Sequence, residues 1–105
     1  MQPIVTNKTE LVLLLKKNTS SLISYGVKSI GIFGSFSKNK QNTNSDIDIL
    51  VEFIPGKKNY KNFIHLAYYL EDLFGRKVEL LTSQALSPYM KDHILNEVEY
   101  VPLAA

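Results

Sequence analysis

Two carboxylates stand one residue apart in Asp46-Ile47-Asp48, and an apolar run, Ile49-Leu50-Val51, follows them. On a strand, residues i and i+2 share a face, with Cα atoms about 6.6–7 Å apart. Side chains reaching toward each other across that gap can hold a divalent cation. Without a cation or a proton, two such charges at about 4 Å repel by roughly 4 kcal/mol at an effective dielectric of about 20. Hard oxygen donors suit Mg²⁺ or Mn²⁺. A third acid, Glu79, sits among apolar neighbours in Lys77-Val78-Glu79-Leu80-Leu81-Thr82. It joins the pair if its strand lies beside the one that Asp48 opens. Three acids are the usual ligand complement of a two-metal phosphoryl-transfer site, where the ions sit ~3.5–4 Å apart.

Ahead of the pair, the apolar run Ile30-Gly31-Ile32-Phe33 ends in Gly34-Ser35. A glycine at a strand end lets backbone N–H groups approach an anion closely, and the following hydroxyl adds a donor. Lys38 and Lys40 make the intervening loop basic. Each piece has a plain reading when judged alone: Asp-x-Asp as a solvated strand end, Gly-Ser as a turn. Together they describe a phosphate cradle facing a metal site.

The elements that must position these groups follow from periodicity. Leu11, Leu14, Leu15, Leu22 and Tyr25 recur at helical spacing over residues 8–25, with Thr6, Asn7 or Thr9 as cap, Gly26 as terminator, and a break possible at Asn18-Thr19-Ser20-Ser21. Strands are expected over 28–33 and 47–53, with room for a short helical turn between them. A loop with turn chemistry, Ile54-Pro55-Gly56-Lys57-Lys58, leads to a helix over 59–74 whose apolar stripe comprises Tyr60, Phe63, Leu66, Ala67, Leu70, Leu73 and Phe74, closed by Gly75. A third strand spans 77–82. Ser87-Pro88 opens a last helix to about Asn96, and residues 98–101 suit a short closing strand. The order α-β-β-α-β-α describes an α/β fold, a small mixed sheet with helices packed on it.

Composition sets the bounds. The 105 residues, 45% apolar and 21% charged, suit a single domain over 1–105 with one core. No run approaches the roughly 18 apolar residues of a membrane span, and Met1-Gln2-Pro3-Ile4 has none of the features of a signal peptide. With no cysteine for disulfides or thiolate metal sites, a cytoplasmic location is expected. A net charge of +2 makes no case for direct nucleic-acid binding. His65 and His93 read as surface residues. Lys57, Lys58 and Lys61 read first as a solvated loop, with a basic rim near the nucleotide or a partner as the alternative. Tyr68-Tyr69, Tyr89 and Tyr100 exceed what a core needs and suggest a protein interface.

Gly34-Ser35, ten intervening residues, then Asp46-x-Asp48 resembles the signature of the nucleotidyltransferase superfamily related to DNA polymerase beta. Gly26-Val27, the stretch from Leu70 to Thr82, and the tail Ile94-Leu95-Asn96-Glu97 resemble its minimal, MNT-type members, so the similarity covers nearly the whole chain. The resemblance implies that Gly34, Ser35, Lys38 and Ser45 contact the nucleotide, and that Asp46, Asp48 and Glu79 ligate two Mg²⁺ ions (Mn²⁺ as substitute). Glu79 would also help deprotonate the acceptor hydroxyl. ATP is the implied substrate, with AMP transferred and pyrophosphate released. Three departures stand out: Lys38-Asn39 where many relatives have Arg-Gly, Glu79 where the third acid is usually Asp, and the polar, glycine-free loop Gln41-Asn42-Thr43-Asn44.

A chain this size carries no second domain to grip an acceptor, so a partner protein is expected. Many MNT proteins are antitoxins that adenylylate a tyrosine of a HEPN-domain ribonuclease toxin encoded nearby. The resemblance implies the same function here, in a hetero-oligomer. The alternative is an antitoxin that neutralises its toxin by binding alone.

Overall fold

The computed structural model describes residues 4–103; Met1-Gln2-Pro3, read above for a leader, lies outside them. The predicted first helix is two helices, α1 (Lys8–Lys17) and α2 (Thr19–Ser24). The division falls at Asn18, whose side-chain amide donates to the Leu14 carbonyl at 2.8 Å and so competes with the helical ladder. Asn7 is the cap that forms: its side chain accepts from the Glu10 N–H at 2.9 Å, while Glu10 in turn accepts from the Thr6 N–H at 2.8 Å. Gly26 ends α2 at φ 89°.

Strand β1 (Val27–Phe33) runs straight into a four-residue helix, α3 (Gly34–Ser37), which is the short turn allowed for between the strands. Strand β2 (Ile47–Phe53) follows the polar loop. Helix α4 (Tyr60–Phe74) is capped by the Asn59 side chain, which accepts from the Asn62 N–H, and is stopped by Gly75 in the left-handed region. Strand β3 (Val78–Thr82), a 3₁₀ turn, helix α5 (Pro88–Glu97) and strand β4 (Glu99–Val101) complete the chain. Ser87 caps α5 with Pro88 in its first turn, as predicted.

The sheet order is β3-β2-β1-β4, with β2 and β3 parallel and the other pairs antiparallel. The parallel pair requires a crossover, and α4 provides it. Alternation along the strands divides the core. Ile30, Ile32, Ile47, Ile49 and Val51 pack with Leu11, Leu15, Leu22, Leu66, Leu70 and Phe74 of α1, α2 and α4. Phe33 and Leu50 face the other way, onto Leu86 and onto Ile94 of α5. The mixed α/β architecture is the one expected; the division at Asn18, α3, the 3₁₀ turn and β4 add elements to the predicted order. One predicted core residue is not in the core. Tyr60 is 79% exposed, because it stands in the first turn of α4 beside the exposed loop 55–59.

Among the described residues no helix is long and apolar enough to cross a membrane.

Candidate functional site

The predicted site residues gather at one end of the sheet, where β1 ends and β2 and β3 begin. Asp48 pairs in register with Phe33 on one side and with Glu79 on the other. Strand parity puts Asp48 and Glu79 on the face covered by α5, opposite the larger core. Asp46 immediately precedes β2. It and Glu79 are exposed, whereas Asp48 is half-buried.

Electrostatics mark Asp48 as the strained member. Its carboxyl is pushed up to about 7, first by burial, then by hydrogen bonding to Glu79 and the charge of that residue, and further by Asp46 and Glu97. Gly34, at φ 71°, lies against it: a Cβ there would overlap Asp48 Oδ2 and sit 2.9 Å from its Cγ. Glycine is therefore required at position 34 twice over, for backbone conformation and for space.

The remaining predicted contacts take these places. Ser35 is half-buried in α3, and its carbonyl accepts from the Lys40 N–H at 2.9 Å. Lys38 is paired with Glu97, Nζ to Oε2 at 2.9 Å. Ser45 shapes the loop, its hydroxyl accepting from the Asn42 N–H at 2.9 Å. Lys57 and Lys58 follow the C-terminal end of β2, which lies about 17 Å of strand beyond Asp48, so they form no rim around this site.

Two residues at the site carried no assigned role in the sequence reading. Glu97, the last residue of α5, accepts from the Gly34 N–H at 3.1 Å through Oε1, and its carbonyl accepts from Ser37 Oγ at 3.0 Å. The Lys38 hydrogen bond, then the Gly34 N–H, hold its carboxyl below the usual range against the opposing effect of burial. His93 stands 3.6 Å away from Oε2. Arg76 donates to the Asn42 and Thr43 carbonyls at 2.7 and 3.2 Å and lies over the Phe36 ring at 5.1 Å, tying the loop ahead of Asp46 to α3. A signal for Glu97 existed: an acid in the last turn of a helix opposes the macrodipole and calls for a compensating partner. Arg76 gave none.

Residues 14–101 match the nucleotidyltransferase domain family. The chain belongs to that family. A relative from Methanocaldococcus jannaschii, provisionally named a protein adenylyltransferase, is 47% identical over 76 residues, 72% of this nucleotidyltransferase and 81% of its own length. In fold, the nucleotidyltransferase is similar to a solved structure provisionally named a minimal nucleotidyltransferase: TM-score 0.78, 24% identity, 90% of this chain and 95% of that one. A second fold likeness is to a Shewanella oneidensis complex of a tri-AMPylated HEPN toxin with its MNT antitoxin: TM-score 0.57, 21% identity, 91% of this chain and 69% of that one.

The donor chemistry of this nucleotidyltransferase fits a hard divalent cation. Asp48, Glu79 and Asp46 offer oxygen alone, and Asp48 holds a proton near neutrality that a cation would replace. Among the described residues, however, no three acidic or histidine side chains converge closely enough to hold a metal as they stand. Asp48 is placed by the fold with Glu79 in hydrogen-bonding reach, and Asp46, being exposed, has room to turn toward them.

Proposed function

We propose that this nucleotidyltransferase moves AMP from ATP to a tyrosine hydroxyl of a HEPN-type toxin encoded nearby, and so acts as its antitoxin. The observation that carries the reading is the register of β2 and β3, which sets Asp48 beside Glu79 with Gly34 packed on Asp48. Relatives named for protein adenylylation, and the fold likeness to an MNT antitoxin seated on its AMPylated toxin, support the choice of acceptor. Residues 1–105 act as one domain, the toxin completes the hetero-oligomer, and the reaction belongs in the cytoplasm, where ATP and the toxin are.

Asp46, Asp48 and Glu79 would hold Mg²⁺, which supplies charge stabilisation on the attacking and leaving oxygens. Gly34, Ser35 and Lys38, with Ser45 at the end of the loop, bind and orient the triphosphate. The acceptor oxygen bonds to the α-phosphorus, the bond from that phosphorus to its bridging oxygen breaks, and pyrophosphate leaves with the electron pair. Glu79 takes the hydroxyl proton, worth on the order of 10²–10⁴-fold in rate.

A second reading, neutralisation by binding alone, is favoured by the departures at Lys38-Asn39 and Glu79 from the usual Arg-Gly and Asp. The experiment incubates the chain with ATP, Mg²⁺ and the neighbouring HEPN-type protein and reads the intact mass of the latter. Whole AMP increments are expected, and they disappear with Asp46→Asn combined with Asp48→Asn. A toxin that stays unmodified yet is neutralised equally by wild type and double variant overturns the transferase reading in favour of occlusion.

A further inference from the structure

We infer that Glu97 is a positioning residue of the nucleotide site: it sets Gly34 and Lys38 in place from the far end of α5. The inference rests on the nucleotide-binding reading of Gly34, Ser35 and Lys38. Three separate groups of the α3 region converge on this one residue. The Gly34 N–H, at the first residue of α3, donates to Oε1; the Ser37 hydroxyl, at its last, donates to the Glu97 carbonyl; Lys38, which follows it, pairs with Oε2. A four-residue helix has too few internal hydrogen bonds to hold its own orientation. Its beginning and its end are both tied to α5, across more than fifty residues of sequence.

The consequence reaches the carboxylates. Gly34 lies in contact distance of Asp48, so whatever orients the Gly34 peptide also sets the floor on which Asp48 rests. The Lys38 stem is half-exposed, and without Glu97 its ammonium would sample many rotamers. Glu97 holds it at 2.9 Å, against the end of α5. The geometry fits less well with a solvated helix end: Glu97 is 17% exposed, and all the hydrogen-bonding oxygens it offers have a partner. It is also poorly placed for α5 itself, since an acid at a helix C-terminus opposes the dipole. The other charged group beside it is His93, 76% exposed, while Lys8 of α1, paired with Glu99 of β4, donates to the Ser37 carbonyl at 3.5 Å and touches α3 from another side.

The test separates charge from hydrogen bonding. Glu97→Gln keeps an oxygen for the Gly34 N–H but loses the attraction for Lys38; Glu97→Ala loses both. Binding of a non-hydrolysable ATP analogue with Mg²⁺ is measured by calorimetry on the full chain, alongside the Gly34 and Ser35 amide resonances of the free protein. Glu97→Gln is expected to weaken the analogue about three- to tenfold, and Glu97→Ala further, with thermal midpoints recorded for both. The Gly34 amide is expected to move strongly only in Glu97→Ala. Lys38→Met combined with Glu97→Gln should bind no worse than Lys38→Met alone, because the charge of Glu97 acts through Lys38. Glu52→Gln, which loses only the exposed pair with Lys28, is the control and should bind as wild type does. Folded Glu97 variants that bind the analogue as tightly as wild type, or more tightly, overturn the inference and leave the nucleotide reading intact. A wild-type chain that does not bind the analogue at all overturns both.

Discussion

Replacing Gly34 by alanine tests whether contact with Asp48 is what makes a glycine necessary there. The backbone at Gly34 has φ 71°, and an L-residue in that left-handed region costs roughly 1–2 kcal/mol. The added Cβ would also overlap Asp48 Oδ2 and approach its Cγ to 2.9 Å, so the carboxylate must leave the place it occupies against Gly34. Strain and displacement together should destabilise the chain by about 2–4 kcal/mol. At about 4–8 °C per kcal/mol for a domain near this size, the melting midpoint should fall by roughly 8–30 °C. Moving a reacting group by on the order of an ångström costs about 10²-fold in rate. Gly56→Ala separates the two effects. Gly56 has φ 85° but nothing within 4 Å of its Cβ position, so that variant should carry the backbone strain alone and keep full transfer activity. Differential scanning calorimetry and AMP incorporation into the proposed HEPN-type partner, read on both variants, make the comparison. If Gly34→Ala loses no more stability than Gly56→Ala and transfers AMP at the wild-type rate, the contact with Asp48 is not what position 34 is for.

Two further outcomes follow from the same geometry. In metal-free buffer, Asp48 holds a proton in the folded chain up to about pH 7, while in the unfolded chain it releases it near pH 3.9. The folded state therefore binds more protons across that window, and this group makes stability fall as pH rises through it. Glu10 and Glu97, held below the usual range, act in the opposite sense and lose their contribution as pH falls, so the informative quantity is the difference between Asp48→Asn and wild type. Urea midpoints should show the variant gaining on wild type by about 1 kcal/mol or more between pH 5 and pH 8, after discounting for the half-exposed position; a gap that does not widen with pH would remove Asp48 as the strained group. Arg76→Ala should cost about 1–3 kcal/mol through two lost hydrogen bonds and the Phe36 contact. Limited proteolysis should then cut faster within residues 38–45, and Arg76→Lys should recover little, since an ammonium cannot span both carbonyls as the guanidinium does; unchanged cleavage in both variants would refute this.

Most of the fold was legible because its signals are local. Ser87-Pro88 and Gly75 end or begin helices through backbone geometry that their own side chains dictate. The alternation from Ile47 to Val51 turns Asp48 to the opposite face from Ile47 and Ile49, and that parity needs no tertiary knowledge. Tyr60 shows where periodicity misleads: it has the spacing of the stripe, but the first turn of a helix need not overlie the sheet that buries the rest.

The site was legible to the same extent and for the same reason. Asp46, Asp48, Gly34 and Ser35 lie on one strand–loop–strand unit, and Glu79 reaches Asp48 because a parallel neighbour is what a crossover helix makes. What holds that unit in shape comes from elsewhere: Glu97 is 63 residues from Gly34, and Arg76 is 34 from Asn42. No periodic pattern encodes such contacts. Glu97 nevertheless breaks a local rule, an acid where a helix end prefers a cation, and Lys38 with the Gly34 N–H supplies the compensation that its own helix lacks. A residue that is unfavourable for its own element is most simply explained by what it does for another. On that ground the last turn of α5 belongs with the strand–loop–strand unit as part of one site.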